Sequence, residues 1–199
     1  MTIRARQASG DRGSTLVEAA MVTPVFLFVL FGVMEYGLAY RDNLTVANST
    51  RDAARVATTG GNSADADYGI LQQISDDMDV MGHDTIDLIV VFNAGGPSGS
   101  VKGESTTDLA ACKSGTSVTG VCNVYTSSDL ERPLSDFGCL TTGSLDSLWC
   151  PMNRSIAFSD PPDYIGVYLE TTHDYATGMF GDNVTISDET VMRIEPQLR

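Results

Sequence analysis

Histidine is scarce in this sequence, at two positions in 199, and basic side chains thin out after Tyr40, where nine face 23 acidic ones. No H-E-x-x-H, G-x-S-x-G, P-loop or G-x-G-x-x-G pattern occurs. His83 and His173 lie far apart, and each is followed by aspartate. Histidine beside an acid is a common surface pattern, so no catalytic, cofactor-binding or metal-ligating residue is assigned. A secreted hydrolase using either histidine ranks last among the functions considered. Asp77, Asp79 and Gly82 imitate three positions of an EF-hand loop, but Met81 and Leu88 fall where oxygen ligands are required. The chain has no internal repeat and no low-complexity linker between two domains.

The net charge is −14, and it is unevenly placed. The first 13 residues hold Arg4, Arg6 and Arg12 against Asp11. Ala19 to Met34 carries no charge at all. A basic leader, an apolar run and an acidic remainder follow the positive-inside rule, with the leader in the cytoplasm and the C-terminal part outside. The acidity argues against nucleic acid and anionic lipid surfaces as partners.

The apolar segment spans about 25 residues from Leu16 to Tyr40, roughly 37 Å as a helix, enough to cross a bilayer. Pro24 removes one backbone donor, which membrane helices tolerate. Glu35 falls near the outer interface beside Tyr36 and Tyr40, without an identifiable partner. Helical spacing continues through Tyr36, Tyr40, Leu44, Ala47, Ala54 and Ala57 to a stop at Gly60–Gly61. One helix of about 70 Å is therefore expected over residues 14–59, its second half packed on a domain.

Residues 60–199 are expected to form an extracytoplasmic α+β domain. A helix is predicted from Ala64 to Met81, with Leu71, Ile74, Met78 and Met81 at three- and four-residue steps. "TIDLIVVFNAGGPSGS" reads as a strand ending in a turn. "YIGVYLETT" and "NVTISDETVMRIEP" alternate as half-buried antiparallel strands. Residues 96–162 are a loop-rich insertion with a short strand at "GVCNVYT". That insertion holds Cys112, Cys122, Cys139 and Cys150, for which three pairings exist. Pairing Cys112 with Cys122 and Cys139 with Cys150 closes two short loops, each worth about 2–3 kcal/mol. Zinc is the alternative, but the C-x-x-C spacing of common zinc sites is missing. Free thiols are the other alternative, in a host that does not oxidise them.

Three fates compete for the N-terminal stretch. It is a permanent signal anchor, or a signal peptide cut near Tyr40, or a leader removed after Gly13 with the helix retained. Only the last gives Glu18 a task. Such a cut frees an amine on Ser14, and Glu18 lies four positions on, on the same helix face.

The text "RGSTLVEAAMVTPVFLFVLFGVMEYG" resembles the processing site and helix of type IV pilin-like proteins, and more narrowly the TadE-like pseudopilins of the tight-adherence (Flp) pilus. Pro24, "GVMEYG", "NSTRDAARVAT" and the closing "VMRIEP" are also similar to that family's text. The resemblance covers about Arg12 to Thr59, with a weaker echo from Tyr164 onward. It implies a pilin-like fold with a long helix packed on a small antiparallel sheet. It also implies cleavage between Gly13 and Ser14 by a prepilin peptidase, and no catalytic role. The implied partners are that peptidase, other pilin-like subunits of the Flp machinery and membrane lipid. The competing class is a membrane-anchored or secreted binding module such as an adhesin.

Overall fold

The computed structural model describes residues 11–99, 106–139, 143–157 and 161–196. Most of the basic leader, residues 1–10, lies outside them. Helix α1 runs unbroken from Asp11 to Gly60, 50 residues, with Pro24 inside it. Thr23 Oγ1 donates to the Ala19 carbonyl at 2.7 Å, one residue from the carbonyl that Pro24 leaves without its usual donor. The helix ends where the sequence predicts. Gly61 turns the chain at φ 55°, a left-handed value that glycine adopts without a Cβ penalty, and its N–H reaches the Ala57 carbonyl at 3.1 Å.

The second half of α1 packs on the domain through the expected Ala54 and Ala57, but not through the expected Tyr36, Tyr40 and Leu44. Tyr36, Tyr40 and Leu44 are exposed, whereas Asp42, Val46, Ser49, Thr50, Ala53 and Ala57 are buried. Two of the polar residues on this seam, Thr50 and Asp42, find partners across it. Thr50 Oγ1 donates to Asp188 Oδ2 at 2.7 Å, and Asp42 meets His173. The small alanines let helix α2, Ala66–Met78, approach closely and bury Ile70, Leu71, Ile74 and Met78. Both ends of α2 fall short of the expected Ala64–Met81, because the chain turns from Met78 into Gly82.

Four strands follow: β1 Ile86–Ala94, β2 Cys122–Tyr125, β3 Tyr164–Asp174 and β4 Asn183–Arg193. They form one sheet in the order β2-β1-β3-β4, every pair antiparallel. Ile89, Val91, Ile165, Val167 and Leu169 face the helical layer and complete the main core. The opposite face carries Leu88, Val90, Phe92 and Tyr168. The insertion was expected to be loops, yet it contains helix α3, Thr106–Lys113, whose Cys112 covers that second face. The strand at "GVCNVYT" is present as β2.

Two disulfides join Cys112 to Cys122 and Cys139 to Cys150, the local pairing, with Cα separations of 6.3 and 5.7 Å. A buried polar knot ties the insertion down further. Asp67 on α2 accepts from Arg154 at 2.5 Å, from Tyr125 at 2.7 Å and from Asn123 at 2.9 Å. Asn123 also exchanges two bonds with the Trp149 backbone, and the Arg154 guanidinium stacks 4.1 Å from the Trp149 ring centroid. Few apolar residues are available in this stretch, so paired charges and hydrogen bonds replace hydrophobic contact. Burial, and then the Asp67 charge, push the Tyr125 phenol well above its usual range. Burial likewise raises the Asp146 carboxyl, partly opposed by the N–H groups of Gly138 and Cys139 that it accepts at 2.8 and 3.1 Å.

The result is the α+β, pilin-like arrangement: a long N-terminal helix laid across a small antiparallel sheet.

Candidate functional site

Among the described residues, the domain leaves the first half of α1 largely uncovered. From Gly13 to Phe31 every residue is exposed, and the helix has an apolar window of mean hydropathy 2.2, long enough to cross a membrane once. Gly13, Ser14 and Glu18 all sit on the opening turns of this bare rod. Glu18 finds no hydrogen-bond or ionic partner among the described residues. A carboxylate with no partner among the described residues, on a helix otherwise suited to lipid, is a candidate contact for something outside the chain.

Glu35 is the opposite case. It is 1% exposed although it stands at the end of the apolar half. Strands β3 and β4 run past the sheet and turn through residues 175–182 against α1. There the Glu35 carboxylate accepts the backbone N–H of Ala176 at 3.1 Å and that of Thr177. Just beyond, the Phe180 ring packs 6.3 Å from that of Phe28, and it lies against Gly32. A crevice of about 170 Å³ remains between Gly32, Glu35, Tyr36, Ala39, Tyr175 and Phe180.

One level further along, His173 Nδ1 meets Asp42 Oδ2 at 2.7 Å, and Arg41 bonds the other oxygen of that carboxylate at 2.9–3.0 Å. The sequence gives no local sign of these contacts, because the partners are 131 to 142 positions apart. The one available signal is the presence of Glu35 itself in an apolar segment.

The two histidines do not form the pairs that their neighbours suggest. His173 takes Asp42 rather than Asp174. His83 binds the Ser75 carbonyl at 2.9 Å and Asp79 at 3.2 Å, closing the end of α2. Among the described residues, no group of three or more His, Cys, Asp or Glu is placed to hold a metal ion. The four cysteines lie in the insertion, away from α1, and serve as staples.

A bare apolar half-helix bearing an α+β head on its other half defines the class, a pilin-like protein with a single candidate membrane anchor. Residues 13–55 match the family model described as TadE-like protein. No curated protein and no solved structure matches the chain.

Proposed function

We propose that the protein is a TadE-like minor pilin, or pseudopilin, acting in assembly of Flp (tight-adherence) pili. Its role is structural rather than catalytic. One coincidence carries this reading: the segment that matches the TadE-like model lies on a single helix whose apolar half is exposed from Gly13 to Phe31. On this reading α1 crosses the cytoplasmic membrane once, the basic leader stays inside and residues 60–199 lie outside. Two disulfides suit an oxidising compartment, and the charge asymmetry suits that orientation.

A prepilin peptidase then cuts between Gly13 and Ser14. The new Ser14 amine and Glu18 share a helix face. Glu18 neutralises that amine, or the amine of a neighbouring pilin-like subunit, in a dry contact between helices. The helix dipole adds about 0.3–1 kcal/mol for a carboxylate near the new N-terminus. Because an unpaired charge in such a contact is costly, the pair sets the axial register of neighbouring subunits.

N-terminal sequencing of the mature protein tests the proposal. A start at Ser14 is expected, and a start near Tyr40 would remove the helix and the proposal with it. In the Glu18→Ala variant cleavage should persist while piliation drops. Unchanged piliation would refute the register role.

A further inference from the structure

We infer that the β3–β4 hairpin tip is a second membrane contact, dipping into the outer leaflet beside α1, with lipid as the occupant of its exposed apolar face. The inference rests on reading α1 as the membrane anchor. Residues 175–181 carry no charge and are bracketed by Asp174 and Asp182. Within this stretch Met179 and Phe180 are 36% and 52% exposed.

The level of the tip along α1 argues for lipid. Phe180 touches Phe28 and Gly32, below Glu35 on the helix. Phe28 lies seven residues before Glu35, about 10 Å along the axis toward the leader. That depth matches the headgroup–acyl boundary, where amphipathic elements bury apolar side chains by about 5–10 Å. Tyr36 and Tyr40, stacked at 6.3 Å on the exposed side of α1, mark the same interface. The apolar face of the tip is thus continuous with the lipid-facing surface of the helix.

Backbone satisfaction makes the placement affordable. Near hydrocarbon, an unpaired N–H costs several kcal/mol. Glu35 takes the N–H groups of Ala176 and Thr177, and the Tyr175 N–H reaches the Asp182 carbonyl at 3.0 Å. Glu35 therefore does two things: it removes its own charge from the apolar phase, and it seals the part of the hairpin that approaches that phase.

The test uses the full chain in phosphatidylcholine vesicles containing lipids brominated at shallow or deep acyl positions. Wild type reports only Trp149, which is buried in the domain. Phe26→Trp reports the anchor and Phe180→Trp the hairpin. We expect deep bromine to quench Phe26→Trp, shallow bromine to quench Phe180→Trp, and neither to quench wild type. Adding Glu35→Ala to Phe180→Trp should weaken the shallow quenching. Quenching of Phe26→Trp without quenching of Phe180→Trp overturns the hairpin contact and leaves the anchor standing. An unquenched Phe26→Trp overturns both. A Phe180→Trp emission shielded from bromine and dependent on protein concentration assigns the face to a second copy of the chain, and overturns lipid as its occupant.

Discussion

Glu35 and Thr177 stand 142 positions apart, yet the Glu35 carboxylate accepts the Thr177 backbone N–H. The same carboxylate takes the N–H of Ala176. Through this contact the helix that carries the apolar anchor also fixes the end of the hairpin farthest from the core. Replacing the side chain leaves two donors without a partner. In Glu35→Ala, amide exchange at Ala176 and Thr177 should accelerate by on the order of tenfold or more. Exchange in β1 and at the centre of β3 should not change. Uniform acceleration through the whole sheet would mean that Glu35 supports the fold and not the hairpin alone.

The buried Asp67–Arg154 pair should behave as an obligate couple. Both side chains are fully buried, and Asp67 accepts from Tyr125 and Asn123 as well. Arg154→Ala strands a buried carboxylate and should cost about 3–5 kcal/mol, read by thermal unfolding of the detergent-solubilised chain. Tyr125→Phe removes one hydrogen bond and should cost about 1–2 kcal/mol at neutral pH. A loss in Arg154→Ala no larger than in Tyr125→Phe would contradict the pairing.

Tyr125 also predicts a pH dependence. Its folded-state pKa is raised well above the ordinary tyrosine value, first by burial and then by the Asp67 charge. In the window above the unfolded tyrosine pKa, the unfolded chain releases the phenolic proton and the folded chain keeps it. The unfolded state then binds fewer protons, so stability falls as pH rises. Tyr125→Phe lacks this contribution. Its deficit relative to wild type should shrink as pH climbs past about 10. A deficit that is constant up to alkaline unfolding would refute the assignment.

Much of this architecture was legible because it follows periodicity. The uncharged run from Ala19 to Met34 and the Gly60–Gly61 stop delimit α1, and alternation marks β3 and β4. Loop closure favoured the local disulfide pairing without excluding the other two. Three features escaped, each for a physical reason. The buried face of α1 mixes Asp42, Ser49 and Thr50 with Val46 and small alanines, so a hydrophobic pattern finds Ala54 and Ala57 but wrongly adds Tyr36, Tyr40 and Leu44. Helix α3, with the sequence TTDLAACK, is too short and too polar to show an apolar stripe. The partner of Glu35 is main chain, which every residue has, so no side chain in the sequence could announce it. The proposed cleavage and pairing roles of Gly13, Ser14 and Glu18 rest on resemblance and chemistry, since the exposed end of α1 makes few contacts to read among the described residues.

The disulfides should contribute separably. Cys112–Cys122 ties α3 to the edge strand β2, while Cys139–Cys150 closes the loop in which Asp146 holds Gly138 and Cys139. Removing either bridge as a double alanine variant should lower stability by about 2–3 kcal/mol. The Cys112/Cys122 variant should expose α3 to proteolysis while leaving the loop around Asp146 protected. The Cys139/Cys150 variant should do the reverse. Identical cleavage patterns in the two variants would argue that the insertion unfolds as one unit.

Gly166 and Phe92 approach closely across β1 and β3. They are directly opposed in the β1–β3 register, and a Cβ added at Gly166 would clash with the Phe92 ring, nearest its Cζ. With no side chain on Gly166 the Phe92 ring packs against its backbone, and both residues are buried in the centre of the sheet. Gly166→Ala should therefore destabilise by about 1–3 kcal/mol through overpacking, although alanine suits a strand better than glycine does. Phe92→Ala should cost about 3–5 kcal/mol through the cavity it leaves. In the double variant the Gly166 penalty should vanish, giving a coupling of about 0.5–3 kcal/mol. Strictly additive losses, measured by thermal unfolding under one set of conditions, would mean that the strands can separate enough to admit the methyl group, and that the ring does not set their spacing.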